Sequence, residues 1–197
     1  MAETLTRSHP LATREDLTAL TGGAVQVQPY LAMVLVQASG PAADVVGSEL
    51  GVELPGRMGT WTGFTGADGV SGRVLRLAPD ELLVVNDDER PWELEARLRA
   101  AAAPLDGSAV DVSAQRVTLR LHGPHAREVL AAGCSLDTHP SRFGAGACAQ
   151  VPVGETGVVL VSLSDDGDDY LLLVRSSFAR YLADWLVDVF VEHVSTP

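Results

Sequence analysis

The sequence predicts an α+β fold in which one unit occurs twice. Each copy reads strand, helix, three strands, helix, with mainly antiparallel sheets and helices on one face. Three observations carry this expectation. Apolar strand patterns at residues 30–38 and 117–121 each lead into a Gly-Pro turn and a helical pattern. Short motifs then recur in order: Gly40-Pro41 returns 83 residues on as Gly123-Pro124, and Pro55-Gly56-Arg57-Met58-Gly59 returns 85 on as Pro140-Ser141-Arg142-Phe143-Gly144. Gly72-Arg73-Val74-Leu75 matches Gly157-Val158-Val159-Leu160 at the same offset, and Leu82-Leu83-Val84-Val85 matches Leu171-Leu172-Leu173-Val174 at 89. Offsets that grow in small steps describe a duplication with short insertions. Two copies at a period of about 85 describe a pseudo-symmetric globular pair rather than a solenoid. The expected partition is an arm at 1–25, a first half at 26–107 and a second at 108–197, within one compact domain.

The elements follow in order. The arm is polar, carries Ser8-His9-Pro10, and has a short helical pattern at 14–21 that Gly22-Gly23 ends; it reads equally as a docked arm or a frayed terminus. Residues 30–38 form the first core strand and 41–50 a helix that stops near Gly51. Strands are expected at 57–64 and 72–77 around the turn Gly66-Ala67-Asp68-Gly69, then at 82–86 after Asp80-Glu81. Pro91 opens a helix with Leu94, Leu98 and Ala101 on one side, and Pro104 ends it.

The second copy is expected to start at Val110. Val117, Leu119 and Leu121 alternate with Thr118 and Arg120, a half-buried strand. Ala126, Val129, Leu130 and Gly133 share a helical face, with Gly133 as the stop. Strands are expected at 147–153, 157–163 and 170–175, with Asp165-Asp166-Gly167-Asp168 as a hairpin turn. The last helix starts near Ser177 as N-cap. Phe178, Tyr181, Leu182, Trp185, Leu186, Val189, Phe190 and His193 keep i, i+3, i+4 spacing, the pattern of a core-facing stripe with a share left for another chain. Trp185 is expected to face the chain's own sheet.

Composition narrows the chemistry. A length of 197 residues and 46% apolar content suit a packed domain. Net charge is −12, and all 14 basic residues are arginine. With no lysine there is no Schiff base and no P-loop. The acidity argues against nucleic acid and reads as solubility. No apolar run has membrane-spanning length, and residues 1–10 lack the apolar core of a signal peptide, so a cytoplasmic protein is expected. Cys134 and Cys148 lie 14 apart; a disulfide stays open, and two reduced thiols are expected. They make a poor zinc site without paired ligands.

Candidate chemistry is sparse. His122 and His125 flank Gly123-Pro124, but no third ligand follows, so a solvated pair is expected. His139 before Pro140 suits a structural hydrogen bond. The carboxylates of 165–168 lack the twelve-residue calcium loop and its closing Glu. Gly66 to Gly72 has no following helix and no cation for phosphate. Cys134 at a helix end gains no thiolate stabilisation, and Asp111 and Asp137 are isolated. The expected site assignment is therefore empty: no catalytic, cofactor-binding or metal-ligating residue. Such a domain is more often a binding or assembly subunit than an enzyme.

Several stretches carry a resemblance. Asp111-Val112-Ser113, Leu121-His122-Gly123-Pro124-His125-Ala126-Arg127, Gly133-Cys134-Ser135-Leu136-Asp137-Thr138-His139-Pro140, Phe143 and Cys148-Ala149 belong to it. So does the run Val174-Arg175-Ser176-Ser177-Phe178-Ala179-Arg180-Tyr181-Leu182-Ala183-Asp184-Trp185-Leu186. Together they look like the gamma subunit of heterotetrameric sarcosine oxidase; before Val110 the likeness rests on length and on Ser8 to Pro10. A mass of 20.7 kDa fits such a subunit. The resemblance implies a complex with alpha, beta and delta subunits. That complex oxidatively demethylates sarcosine to glycine, hydrogen peroxide and formaldehyde, or to 5,10-methylenetetrahydrofolate when tetrahydrofolate is present. It implies FAD, FMN, NAD, zinc and tetrahydrofolate in the partner subunits, and none of them in this chain. It also implies a duplicated α+β fold similar to the folate-binding domain of aminomethyltransferases. The alternative is a free-standing folate-binding one-carbon-transfer protein.

Overall fold

Most of the long strands are apolar on two faces, and a strand covered on both sides must lie between layers. The computed structural model describes residues 9–66, 69–87 and 90–193, with backbone alone at 193. Ser8, the Ala67-Asp68 centre of the predicted turn and the His193 side chain lie outside the described residues.

In chain order the elements are α1 (Asp16–Leu20), β1 (Val25–Val27), β2 (Ala32–Gln37), α2 (Pro41–Leu50), β3 (Thr60–Thr65), β4 (Ser71–Ala78), β5 (Glu81–Asn86) and α3 (Pro91–Ala102). They continue with β6 (Ser108–Asp111), β7 (Arg116–His122), α4 (Ala126–Ala131), β8 (Cys148–Val153), β9 (Thr156–Ser162), β10 (Asp169–Arg175) and α5 (Ala179–His193). The predicted unit appears twice, as β2-α2-β3-β4-β5-α3 and as β7-α4-β8-β9-β10-α5.

The two sheets repeat one strand order. One runs β3-β4-β5-β2-β6 and the other β8-β9-β10-β7-β1, antiparallel throughout. The fifth strand of each is exchanged: β1 precedes the first unit but pairs with β7, and β6 precedes the second unit but pairs with β2. Val110 thus lies in the first sheet, ahead of β7, as β1 lies in the second sheet ahead of β2.

Side-chain parity builds four layers. Ala32, Val34 and Val36 of β2 join Leu82 and Val84 under Val46 of α2 and Leu94 and Leu98 of α3. Leu119, Leu160, Leu172 and Val174 pack likewise under α4 and α5. The opposite faces meet between the sheets, where Met33, Leu83 and Val85 face Val159, Val161 and Leu173. At one edge the sheets are stitched together. Trp61 N–H donates to Gly146 O at 2.8 Å, Cys148 N–H to Gly59 O at 2.9 Å, and the Trp61 indole to Ser162 O at 3.0 Å.

Several local expectations change. On α3 the buried face is Leu94, Leu98 and Ala102 rather than Ala101. α4 stops at Ala131, and Gly133 is not left-handed, so it is no helix stop of the glycine type. Ser177 sits inside a 3-10 turn, Ser176–Phe178, that leads into α5 without a side-chain cap. The stripe on α5 is narrower than its spacing suggested. Leu182, Leu186, Val189 and Phe190 are buried with Ala179 and Ala183, Trp185 is partly buried, and Phe178 and Tyr181 are exposed. The arm is docked: Leu11 and Leu17 enter the core, Arg14 pairs with Asp184 of α5, and Arg180 donates to Pro10 O at 3.3 Å.

Candidate functional site

The groups singled out for chemistry are scattered through the second half, and most of them hold loops. His139 closes its own turn, with Nδ1 2.8 Å from Ser141 Oγ while Asp137 accepts the His139 N–H at 3.0 Å. Asp165 accepts the Ala145 N–H at 3.0 Å and ties the hairpin to the loop before β8. Asp168 lies 2.5 Å from Ser164 Oγ in the same hairpin. His122 and His125 do not form the solvated pair expected. His125 is exposed and meets Glu128 at 2.9 Å, whereas His122 is half-buried and its Nε2 is sealed without a partner. Strand burial puts His122 on the inner side of β7, which the Gly123-Pro124 spacing alone did not disclose.

Cys134 and Cys148 are both free and buried. Burial pushes the Cys148 thiol up to about 12, the opposite of what a nucleophile needs. Among the described residues no group of three His, Cys, Asp or Glu side chains is placed to hold a metal ion.

A concavity lies elsewhere, where three segments distant in sequence meet. It is a cleft of about 1030 Å³ between the arm, the link from β1 to β2 and the 3-10 turn Ser113–Gln115. His9, Tyr30, Asp111, Ser113 and Arg116 line it. The turn is tightly made: Asp111 Oδ1 accepts the Ser113 N–H at 2.9 Å and its hydroxyl at 2.5 Å, and Ser113 Oγ accepts the Met33 N–H at 2.8 Å. Ser176 donates to Ala114 O at 2.8 Å across the base. On the arm, His9 Nδ1 accepts the Leu11 N–H at 3.1 Å, and burial holds the imidazole below its ordinary pKa. Arg116 is half-buried, and desolvation, then Arg175 opposite it, pull its pKa down while Glu81 works the other way. Asp111 is the one earlier candidate that reaches this cleft. The sequence signal for the rest was Asp111-Val112-Ser113, a short turn motif, and nothing marked Arg116.

The comparisons with known proteins agree with one another. The family model for the sarcosine oxidase, gamma subunit family matches residues 36–192. The sarcosine oxidase gamma subunit of Corynebacterium sp. (strain P-1) is 33% identical over 148 residues, which is 75% of this chain and 69% of that protein. That of Corynebacterium sp. (strain U-96) is 34% identical over 143 residues, 72% of this chain and 65% of the relative. In the solved structure of heterotetrameric sarcosine oxidase from Corynebacterium sp. U-96 in complex with pyrrole 2-carboxylate, one chain superposes with a TM-score of 0.81 at 25% identity. The superposition covers 97% of this chain and 98% of that one. The glycine cleavage system aminomethyltransferase T from Bartonella henselae shares the fold, with a TM-score of 0.65 at 16% identity over 87% of this chain and 48% of the enzyme. The duplicated architecture, the family match from the first core strand to α5, and the identity to these relatives show that the chain belongs to the sarcosine oxidase gamma subunit family.

Proposed function

We propose that this chain is the non-catalytic gamma subunit of a heterotetrameric sarcosine oxidase, an assembly that oxidatively demethylates sarcosine to glycine. The observation that carries this reading is the near full-length superposition on a chain of such a complex. The use of the polar groups supports a structural role: Asp111, Asp137, His139 and Asp165 are spent on turns and loop ties. In this reading the oxidoreductase activity belongs to the complex. FAD, FMN, NAD, zinc and the tetrahydrofolate site sit in the alpha, beta and delta partners, and the assembly works in the cytoplasm. No helix among the described residues is long and apolar enough to cross a membrane.

We propose further that residues 26–107 and 108–197 act as one body rather than as hinged domains. The exchanged strands β1 and β6, with the shared inter-sheet core, support this. Affinity capture of the tagged full chain from its native extract tests the assembly. Recovery with three further chains, bound flavin and sarcosine-dependent peroxide formation is the expected result. Recovery of the chain alone, under conditions that keep other oligomers intact, overturns it.

A further inference from the structure

Arg116 differs from the other half-buried cations of this chain. Arg14 and Arg120 each pair with a carboxylate, Arg76 is held by two backbone carbonyls, and Arg73 stacks over the Trp61 ring. Among the described residues, the Arg116 side chain has neither a hydrogen bond nor an ion pair, although it is half-buried. Arg175 stands directly opposite it in the β7–β10 register and adds a second positive charge. Glu81 acts on it only from beyond ion-pair distance. Desolvating an unpaired cation is costly, and a chain with net charge −12 has no shortage of carboxylates to supply. A guanidinium stays charged even when burial lowers its pKa, so Arg116 calls for an anion rather than for loss of a proton.

The surroundings are those of a small-molecule site. The cleft of about 1030 Å³ has the size such sites take, and Val27, Pro29 and Tyr30 form one wall. Two carboxylates share the lining. Asp111 is already engaged by Ser113, and Glu15 belongs to the arm. Arg14, the other cation of the lining, is taken by Asp16 and Asp184. We propose that Arg116 anchors the carboxylate or phosphate group of a small organic anion, whose apolar part lies against Val27, Pro29 and Tyr30. This assignment stands on the cleft alone and does not depend on membership of an oxidase complex.

The test uses the full chain at constant ionic strength, titrated with inorganic phosphate in one series and with glutarate in another. Melting temperature and calorimetric heat are the readouts. Saturable binding of at least one probe is expected, and the probe that saturates at lower concentration identifies phosphate or carboxylate as the group recognised. Arg116→Gln should weaken that binding about tenfold or more, because a charge-assisted contact is lost. Arg175→Gln, at an exposed position, should weaken it several-fold through the field alone and serves if Arg116→Gln folds poorly. Arg142→Gln, outside the cleft, should bind like wild type. No saturable binding of either probe, or equal binding by wild type, Arg116→Gln and Arg175→Gln, overturns the assignment.

Discussion

Gly133 and Trp185 are in contact so close that position 133 has no room for a side chain. A Cβ on Gly133 would stand 2.4 Å from Trp185 Cζ2 and 2.9 Å from the Gly154 nitrogen. The indole of α5 thus lies over the segment after α4 and against the β8–β9 turn. There Tyr181 Oη also accepts the Glu155 N–H at 2.8 Å.

Gly133→Ala should therefore destabilise the chain by about 1–3 kcal/mol, the range for overpacking a filled site. Trp185→Ala should cost about 3 kcal/mol, the low end for a large aromatic because the ring is only partly buried. In the Trp185→Ala background the Gly133→Ala cost should fall, since the clashing ring is gone, and keep only the share set by the Gly154 nitrogen. Urea unfolding of the four variants reads the cycle. Additive costs would show that the Gly154 nitrogen, and not the indole, excludes the Cβ.

The repeat was legible in the sequence because its markers are local. The Gly-Pro turns, the apolar runs and the Asp-Gly hairpin each act within a few residues, and they placed both copies of the unit. The strand exchange was not legible. Val25–Val27 and Ser108–Asp111 are short, and their partners lie about 70–96 residues away, beyond any local pattern. Gly133 was read as a helix stop because a glycine after a helix usually is one, whereas here the indole excludes a Cβ. The cleft escaped for the same reason as the exchange: arm, link and 3-10 turn are far apart in sequence, and Arg116 reads as an ordinary strand-edge cation.

Trp61 joins the two sheets through its indole and the Ser162 carbonyl, and Arg73 sits 5.5 Å above its ring. Trp61→Phe keeps the ring and removes the donor, so a loss of about 0.5–1.5 kcal/mol is expected. Because the strands are exchanged, both halves should feel it equally. Amide exchange in β4 and β9 should accelerate together, and unfolding should remain one transition by circular dichroism and fluorescence. Acceleration confined to β4 would mean that the halves unfold separately.

The arm should loosen in acid. Burial lowers the His9 pKa, and the neutral ring accepts the Leu11 N–H. A lowered folded-state pKa means this contribution is present above the ordinary value of 6.5 and is lost as pH falls through the folded value. Protection factors at 9–15, corrected for the intrinsic pH dependence of exchange, should fall below pH 6.5 in wild type and stay nearly flat in His9→Gln. Identical pH profiles for the two proteins would assign the loosening to other groups.

Cys148 gives the clearest pH dependence at the alkaline end. Its side chain is 2% exposed on β8 beside the inter-sheet core, and desolvation moves the thiol from 9.0 to about 12. The folded state thus favours the protonated thiol. The resulting stability is complete below pH 9 and is lost as pH climbs from 9 towards 12, where the unfolded chain ionises and the folded chain does not. Wild type should weaken over that interval relative to Cys148→Ala, which has nothing to ionise there. The same protonation makes Cys148 a poor nucleophile at pH 8. In a Cys134→Ala background, a thiol reagent should leave the native protein unmodified and react fully after denaturant is added. Rapid labelling of that variant in its native state would show that the strand opens at the β3–β8 seam and that burial does not govern the thiol.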